Sequence, residues 1–314
     1  MTETRPLSGV YCPALTPMNA DLSLNTAAFI EHCRWLLDDG CHGLAVFGTT
    51  SEANSFSVDE RMAALDALVE AGVAPAALLP GTGCCAITDT ARLTAQAVAL
   101  GCAGVLMLPP FYYKGVDEDG LFASFADCIE RVGSDRLRIY LYHIPQVSGV
   151  GLPLALVERL VKAYPDTVVG LKDSSGDWSY TENLLKAIPG FGAFSGSEVF
   201  LLANLRAGGA GTISATTNVN ARAIRALYDN WTGDTADDMQ DGVTRRRELI
   251  QGFPMIPGLK HVIAAVRGDP GWRRTRPPLT PLDQAVGARL LDDLATGGFS
   301  FAGQPHPAAT AATA

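Results

Sequence analysis

Along the chain, short runs of consecutive apolar residues alternate with longer stretches in which apolar residues recur every three or four positions. A run that is apolar at every position suits a strand covered on both faces, and the longer period suits a helix with one buried face. The runs predict strands over 9–16, 43–49, 76–81, 104–108, 138–142, 168–172, 192–195 and 211–215. Between and after them the pattern predicts helices over 26–38, 58–71, 87–100, 118–132, 153–163, 178–188, 198–207 and 221–230. Asn25, Ser57 and Asp177 stand just ahead of three of these, where a side-chain oxygen can accept from the free N–H groups of a first turn. Eight strand–helix units predict an α/β chain closed as a (β/α)8 TIM barrel over residues 1–232. A doubly wound sheet usually has fewer strands and a clear nucleotide loop. Beyond the barrel, the pattern predicts an appended C-terminal helical subdomain over 233–300, and the Ala/Pro/Thr-rich 301–314 segment is expected to be a flexible tail.

In such a barrel, reactive side chains gather where the strands end and in the loops that follow. Of the five lysines, Lys114, Lys162, Lys186 and Lys260 fall in a loop or in helical segments, and Lys172 alone closes an apolar strand. An amine there points to the barrel mouth and is partly desolvated, which favours the neutral form that carbonyl attack needs. A plain ion pair with the adjacent Asp173 is the other reading, and this strand alone does not choose between them. The second strand ends in Gly48-Thr49-Thr50-Ser51-Glu52, whose hydroxyls and backbone N–H groups can cradle a carboxylate through neutral donors. The fifth ends in Tyr142-His143-Ile144-Pro145, and strand alternation sends Tyr142 and His143 to opposite faces. Gly81-Thr82-Gly83-Cys84-Cys85-Ala86 imitates a dinucleotide loop, but the acid needed about 20 residues further on to hold the ribose is missing: after Asp89 the next is Asp117. Phosphate-loop, zinc-protease and nucleophile-elbow motifs are also missing.

Charge and composition narrow the function classes. A net charge of -9 and a pI near 5.0 lack the basic footprint of a nucleic-acid binder or of a protein that docks on an anionic membrane. An anionic substrate must therefore be met by local donors. Hydrophobic content of 47% with 18% charge provides for a large core, with a mean hydropathy of +0.14. The start of the chain has no signal-peptide pattern, and no run approaches ~18 apolar residues, so a cytoplasmic protein is expected. Seven cysteines without a C-x-x-C pair predict reduced, buried thiols and no metal site.

Taken together, the strand-end motifs resemble the dihydrodipicolinate synthase and N-acetylneuraminate lyase family of pyruvate-type class I aldolases. The resemblance runs from about Gly9 to Val266 and rests on Gly48-Thr49-Thr50-Ser51-Glu52, Pro110-Phe111-Tyr112-Tyr113, Tyr142-His143-Ile144-Pro145, Gly170-Leu171-Lys172-Asp173 and Gly211-Thr212-Ile213-Ser214. It implies a Schiff-base lyase needing no cofactor, with Lys172 forming the imine, Tyr142 shuttling the proton, Thr49 relaying it and Thr50 binding the keto-acid carboxylate. It also implies substrate-binding roles for Gly48, Ser174, Gly196 and Ile213. Tyr112 is expected to reach a neighbouring subunit's site, which implies a homo-oligomer built as a dimer of dimers. The implied partners are a small keto acid and an aldehyde.

The departures from the family pattern point away from lysine biosynthesis. Val147 occupies the place of the arginine that holds the acceptor carboxylate in the synthase branch, a deficit of roughly 2 kcal/mol or more. Val58 and Arg61 stand where that branch has its feedback histidines. The motifs look nearer the lyase and 2-keto-3-deoxy sugar acid aldolase branches, so cleavage of a 2-keto-3-deoxy sugar acid is the leading expectation. The rivals are 4-hydroxy-tetrahydrodipicolinate synthase, a keto-deoxy sugar acid dehydratase and a non-catalytic keto-acid sensor.

Overall fold

The structure, a computed structural model, describes residues 6–299, and the segment expected as a tail over 301–314 lies outside the described residues. Seven strands form one parallel sheet: β1 (Gly9–Cys12), β2 (Gly43–Leu44), β3 (Val105–Met107), β4 (Ile139–His143), β5 (Val168–Asp173), β6 (Gly192–Ser195) and β7 (Gly211–Ile213). Their order, β2-β1-β7-β6-β5-β4-β3, leaves a gap between β2 and β3 that residues 78–82 fill. On one side of this segment Leu79 N donates to Leu44 O at 2.9 Å and Gly81 N to Val46 O at 2.7 Å. On the other, Leu106 N donates to Pro80 O at 2.9 Å and Thr82 N to Leu106 O at 3.0 Å. These bonds close the TIM barrel with an eighth stave.

That stave was expected as a strand over 76–81, yet it makes only isolated bridges. Pro75–Ala77 is a single 3-10 turn, and Pro80 has no N–H to offer a ladder. The second strand was expected to reach residue 49 but stops at Leu44, because Phe47 turns the chain through a left-handed conformation with φ 57°.

The helices are α1 (Thr26–Asp38), α2 (Val58–Glu70), α3 (Ile87–Leu100), α4 (Glu118–Val132), α5 (Pro145–Ser148), α6 (Leu154–Ala163), α7 (Trp178–Ala187), α8 (Leu201–Arg206), α9 (Thr217–Asp229), α10 (Ala236–Gln251), α11 (Met255–Arg267) and α12 (Gln284–Thr296). The expected caps form: Asn25 accepts from Ala28 N, Asp177 from Ser179 N, and Ser57 makes a reciprocal capping box with Glu60. The helix expected over 198–207 instead divides into a 3-10 turn (Glu198–Phe200) and α8, and α9 starts earlier than expected with a kink at Asn220. α10 packs against α9 and the Glu198 turn, α11 against α9, and α12 against both α10 and α11. Among the described residues, no single helix is long and apolar enough to cross a membrane.

Aromatic side chains fill the barrel interior. Tyr11 and Tyr140 meet Phe194 edge-on, with ring centroids 5.6 and 5.8 Å apart, beside Tyr142 and Ile213. This filling explains the glycine two residues before Lys172: a Cβ at Gly170 would strike the Tyr140 ring. The barrel interior is thus a packed plug. All seven cysteines are free. The expectation of buried thiols holds for Cys12, Cys33, Cys41 and Cys128 but not for Cys85, which is exposed at the turn into α3, nor fully for Cys84 and Cys102.

Candidate active site

A cavity of about 480 Å³ lies above the plug, with Lys172 in its wall. Parallel pairing sets Tyr142 of β4 opposite Lys172 of β5, so both side chains rise from the same face of adjacent strands. Lys172 Nζ lies 4.2 Å from the centre of the Tyr142 ring, and Tyr142 Oη is 3.3 Å from Thr49 Oγ1. Both Lys172 and Tyr142 are more than nine-tenths buried.

Asp173, the residue that left the lysine ambiguous, is engaged elsewhere. Its carboxylate accepts from Thr181 Oγ1 at 2.6 Å and from Ser175 N at 2.8 Å. Among the described residues Lys172 makes no ion pair, so the geometry removes the plain strand-end salt bridge. His143 points the other way, as alternation requires, and stacks on Tyr180 with centroids 4.2 Å apart.

The Thr49-Thr50 turn is pinned from below. Ser51 Oγ donates to Ala14 O at 2.6 Å, Thr16 Oγ1 donates to Ser51 O at 2.8 Å, and Glu52 closes the turn in a left-handed conformation with φ 57°. The backbone N–H groups of Thr49 and Thr50 donate to no other group among the described residues. Both residues line the cavity, which makes these N–H groups candidate neutral donors there.

Of the remaining expected residues, Ser174 and Gly196 line the cavity, and a side chain at Gly196 would collide with Ser174 Oγ and the Asp173 carbonyl. Gly48 is buried behind the turn, off the cavity wall, and Ile213 lies in the barrel interior. Tyr112 is not brought to Lys172 at all: it stands 72% exposed beside Tyr113, on the loop after β3.

Comparison with known proteins bears on this arrangement. Residues 6–295 match the model of the dihydrodipicolinate synthetase family. The chain belongs to that family. It is 34% identical over 285 residues to an uncharacterized DapA-like lyase of Chloroflexus aurantiacus, covering 90% of this chain and 94% of the relative. Dihydrodipicolinate synthase from Agrobacterium tumefaciens superposes with a TM-score of 0.84 at 34% identity, covering 92% of this chain and 98% of that one. YagE, a prophage protein of Escherichia coli K12 solved in complex with pyruvate, gives a TM-score of 0.84 at 26% identity, covering 93% and 99%. The protein is accordingly an aldolase or lyase of the dihydrodipicolinate synthetase family.

In this family member the phenol at the centre of the site is electrostatically tuned. Burial by itself raises the Tyr142 pKa, but the charge of Lys172, with hydrogen bonds to Thr49, Lys172 and Ser174, outweighs it and holds the phenol below its ordinary value of 10.0. Sequence reasoning missed one wall of the cavity altogether. Arg247 and Gln251 of α10 and Met255 and Ile256 of α11 complete it, although these helices were read as a mere appendage. A usable signal was present: Arg245-Arg246-Arg247 is a run of cations within a helix of an acidic chain.

Proposed function

We propose that the protein is a Schiff-base aldolase that cleaves a 2-keto-3-deoxy sugar acid to pyruvate and an aldehyde, with Lys172 as the nucleophile. The observation that carries this reading is the Lys172 amine, buried without a carboxylate partner among the described residues and stationed over the phenol of Tyr142, itself within reach of Thr49. Lys172 Nζ adds to the C2 carbonyl, and loss of water leaves a protonated imine. The Tyr142 phenolate takes the proton of the C4 hydroxyl, the C3–C4 bond breaks, and its electron pair enters the imine to give an enamine. C4 leaves as the aldehyde. Tyr142 returns the proton to C3, with Thr49 relaying, and water releases pyruvate. A phenol held below its ordinary pKa suits both halves of that transfer.

The keto-acid carboxylate sits on the free N–H groups of the Thr49-Thr50 turn, next to Gly48, with Ser174 and Gly196 bounding the site and Ile213 supporting it from below. Val147 at the rim, 62% exposed, argues against the synthase branch, since it stands in the place of the arginine with which that branch holds its acceptor. The enzyme works in the cytoplasm as a dimer of dimers, and the exposed Tyr112 completes a neighbour's site.

Mass spectrometry after borohydride treatment with pyruvate tests the reading. A covalent adduct on Lys172 that vanishes in Lys172→Ala is expected, and a wild-type protein without adduct removes the mechanism. Product analysis on 2-keto-3-deoxy sugar acids then tests the outcome: an intact carbon skeleton that has lost water marks a dehydratase instead.

A further inference from the structure

The cavity holds a second cation that the chemistry at Lys172 does not use. Arg247 lines the same space, with its side chain 13% exposed. Its Nη1 donates to Ser214 Oγ at 3.1 Å and its Nε to Gln251 Oε1 at 3.2 Å. The nearest carboxylate, Glu198, forms an ion pair with it at 3.6 Å from Nη1, a separation too long for a hydrogen bond. Glu198 is already satisfied, one oxygen taking the Ser214 hydroxyl and the other the Thr216 hydroxyl. A guanidinium has five N–H donors in a fixed fork, and Nη2, which carries two of them, donates to no group among the described residues.

With one long ion pair and three of its five N–H donors unused among the described residues, this fork can receive a further anion. The keto-acid carboxylate does not need it, because the Thr49-Thr50 turn offers neutral donors of its own. Two carboxylates also line the cavity: Asp173 is engaged with Thr181 and Ser175, and Glu248 is exposed at the rim. Neither is bonded to Arg247.

We propose that Arg247 binds a second anionic group, a carboxylate or phosphate on the aldehyde-derived half of the substrate, so that the enzyme selects acidic acceptors through α10. This deepens the imine reading and rests on it.

The test runs the reaction as aldol addition of pyruvate to acceptors matched in length. Butanal is compared with succinic semialdehyde, and glyceraldehyde with glyceraldehyde 3-phosphate, in wild type, Arg247→Met and Arg247→Lys. In the wild type, kcat/KM for at least one charged acceptor should exceed that of its neutral match by tenfold or more. Arg247→Met should lower it about 10- to 100-fold, chiefly through KM, and largely spare the neutral match, while Arg247→Lys keeps part of the preference. Whichever charged arm responds identifies the anion. Equal use of charged and neutral acceptors by the wild type, or a loss in Arg247→Met that is the same for both, overturns the proposal. Borohydride trapping of pyruvate separates the two readings: an adduct without acceptor preference removes only the role of Arg247, and no wild-type adduct removes both.

Discussion

Lys260 and Glu52 form a fully buried ion pair that ties α11 to the end of the Thr49-Thr50 turn. Lys260 Nζ also donates to the Arg274 carbonyl at 2.7 Å, while Glu52 Oε2 accepts from Arg276 N at 3.0 Å. Among the described residues Glu52 Oε1 has no hydrogen bond of good geometry and is held by the ion pair alone. Lys260→Met keeps most of the volume, so little cavity term is expected, but it leaves a carboxylate in a dry interior with one oxygen unpartnered. Breaking a buried pair in this way costs about 3–5 kcal/mol. The lost bond from Lys260 to the Arg274 carbonyl adds about 1 kcal/mol. At a fixed protein concentration, urea unfolding of Lys260→Met should shift the midpoint down by about 1 M or more for a slope near 3 kcal/mol/M. The double variant Glu52→Gln/Lys260→Met should recover at least half of that loss, since it buries no unpaired charge. KM for the keto acid should rise in the single variant, because Glu52 fixes the turn proposed to meet its carboxylate. A shift below about 0.3 M, or a double variant no better than the single, would refute the reasoning.

Two further outcomes are expected. Tyr142→Phe should cut kcat about 10²- to 10⁴-fold while pyruvate trapping on Lys172 survives, and the rise of wild-type kcat/KM with pH, complete below pH 10 because the phenol is held under its ordinary value, should vanish in the variant; a pH–rate profile with the same limb in both proteins contradicts the assignment. Glu60 is held at about 2, against 4.5, chiefly by its hydrogen bonds with Arg276, so its stabilising effect is complete above pH 4.5 and is lost as pH falls from there toward 2. For this partly exposed pair the effect is about 1 kcal/mol, and melting curves of Glu60→Gln should fall less steeply with acid than those of the wild type.

The strands with continuous apolar runs and the helices with clear caps were legible in the sequence, as was the coincidence of Lys172, Tyr142 and the Thr49-Thr50 turn at strand ends. Two errors have a common cause. The second and third runs look like strands by composition, but a left-handed Phe47 and the imino nitrogen of Pro80 limit their ladders, and apolar patterning does not encode either effect. Whether Lys172 pairs with Asp173 depended on the hydroxyl of Thr181, eight residues on, which no strand pattern indicates. Arg247 was hidden for a different reason: the Arg245-Arg246-Arg247 run marks a cationic stretch, but which of the three meets the cavity is decided only when α10 docks on the Glu198 turn, a long-range contact.

That docking has a consequence for how such an enzyme changes over time. The groups proposed to make and break bonds ride on the barrel strands, where the register of β4 and β5 and the aromatic plug leave little freedom. The opposite wall, from Arg247 to Ile256, hangs on helices whose cavity-facing side chains take no part in that register. New acceptors can therefore be explored by drift in a stretch of ten residues while the covalent chemistry is inherited unaltered, a division of labour that lets one reactive centre serve many substrates.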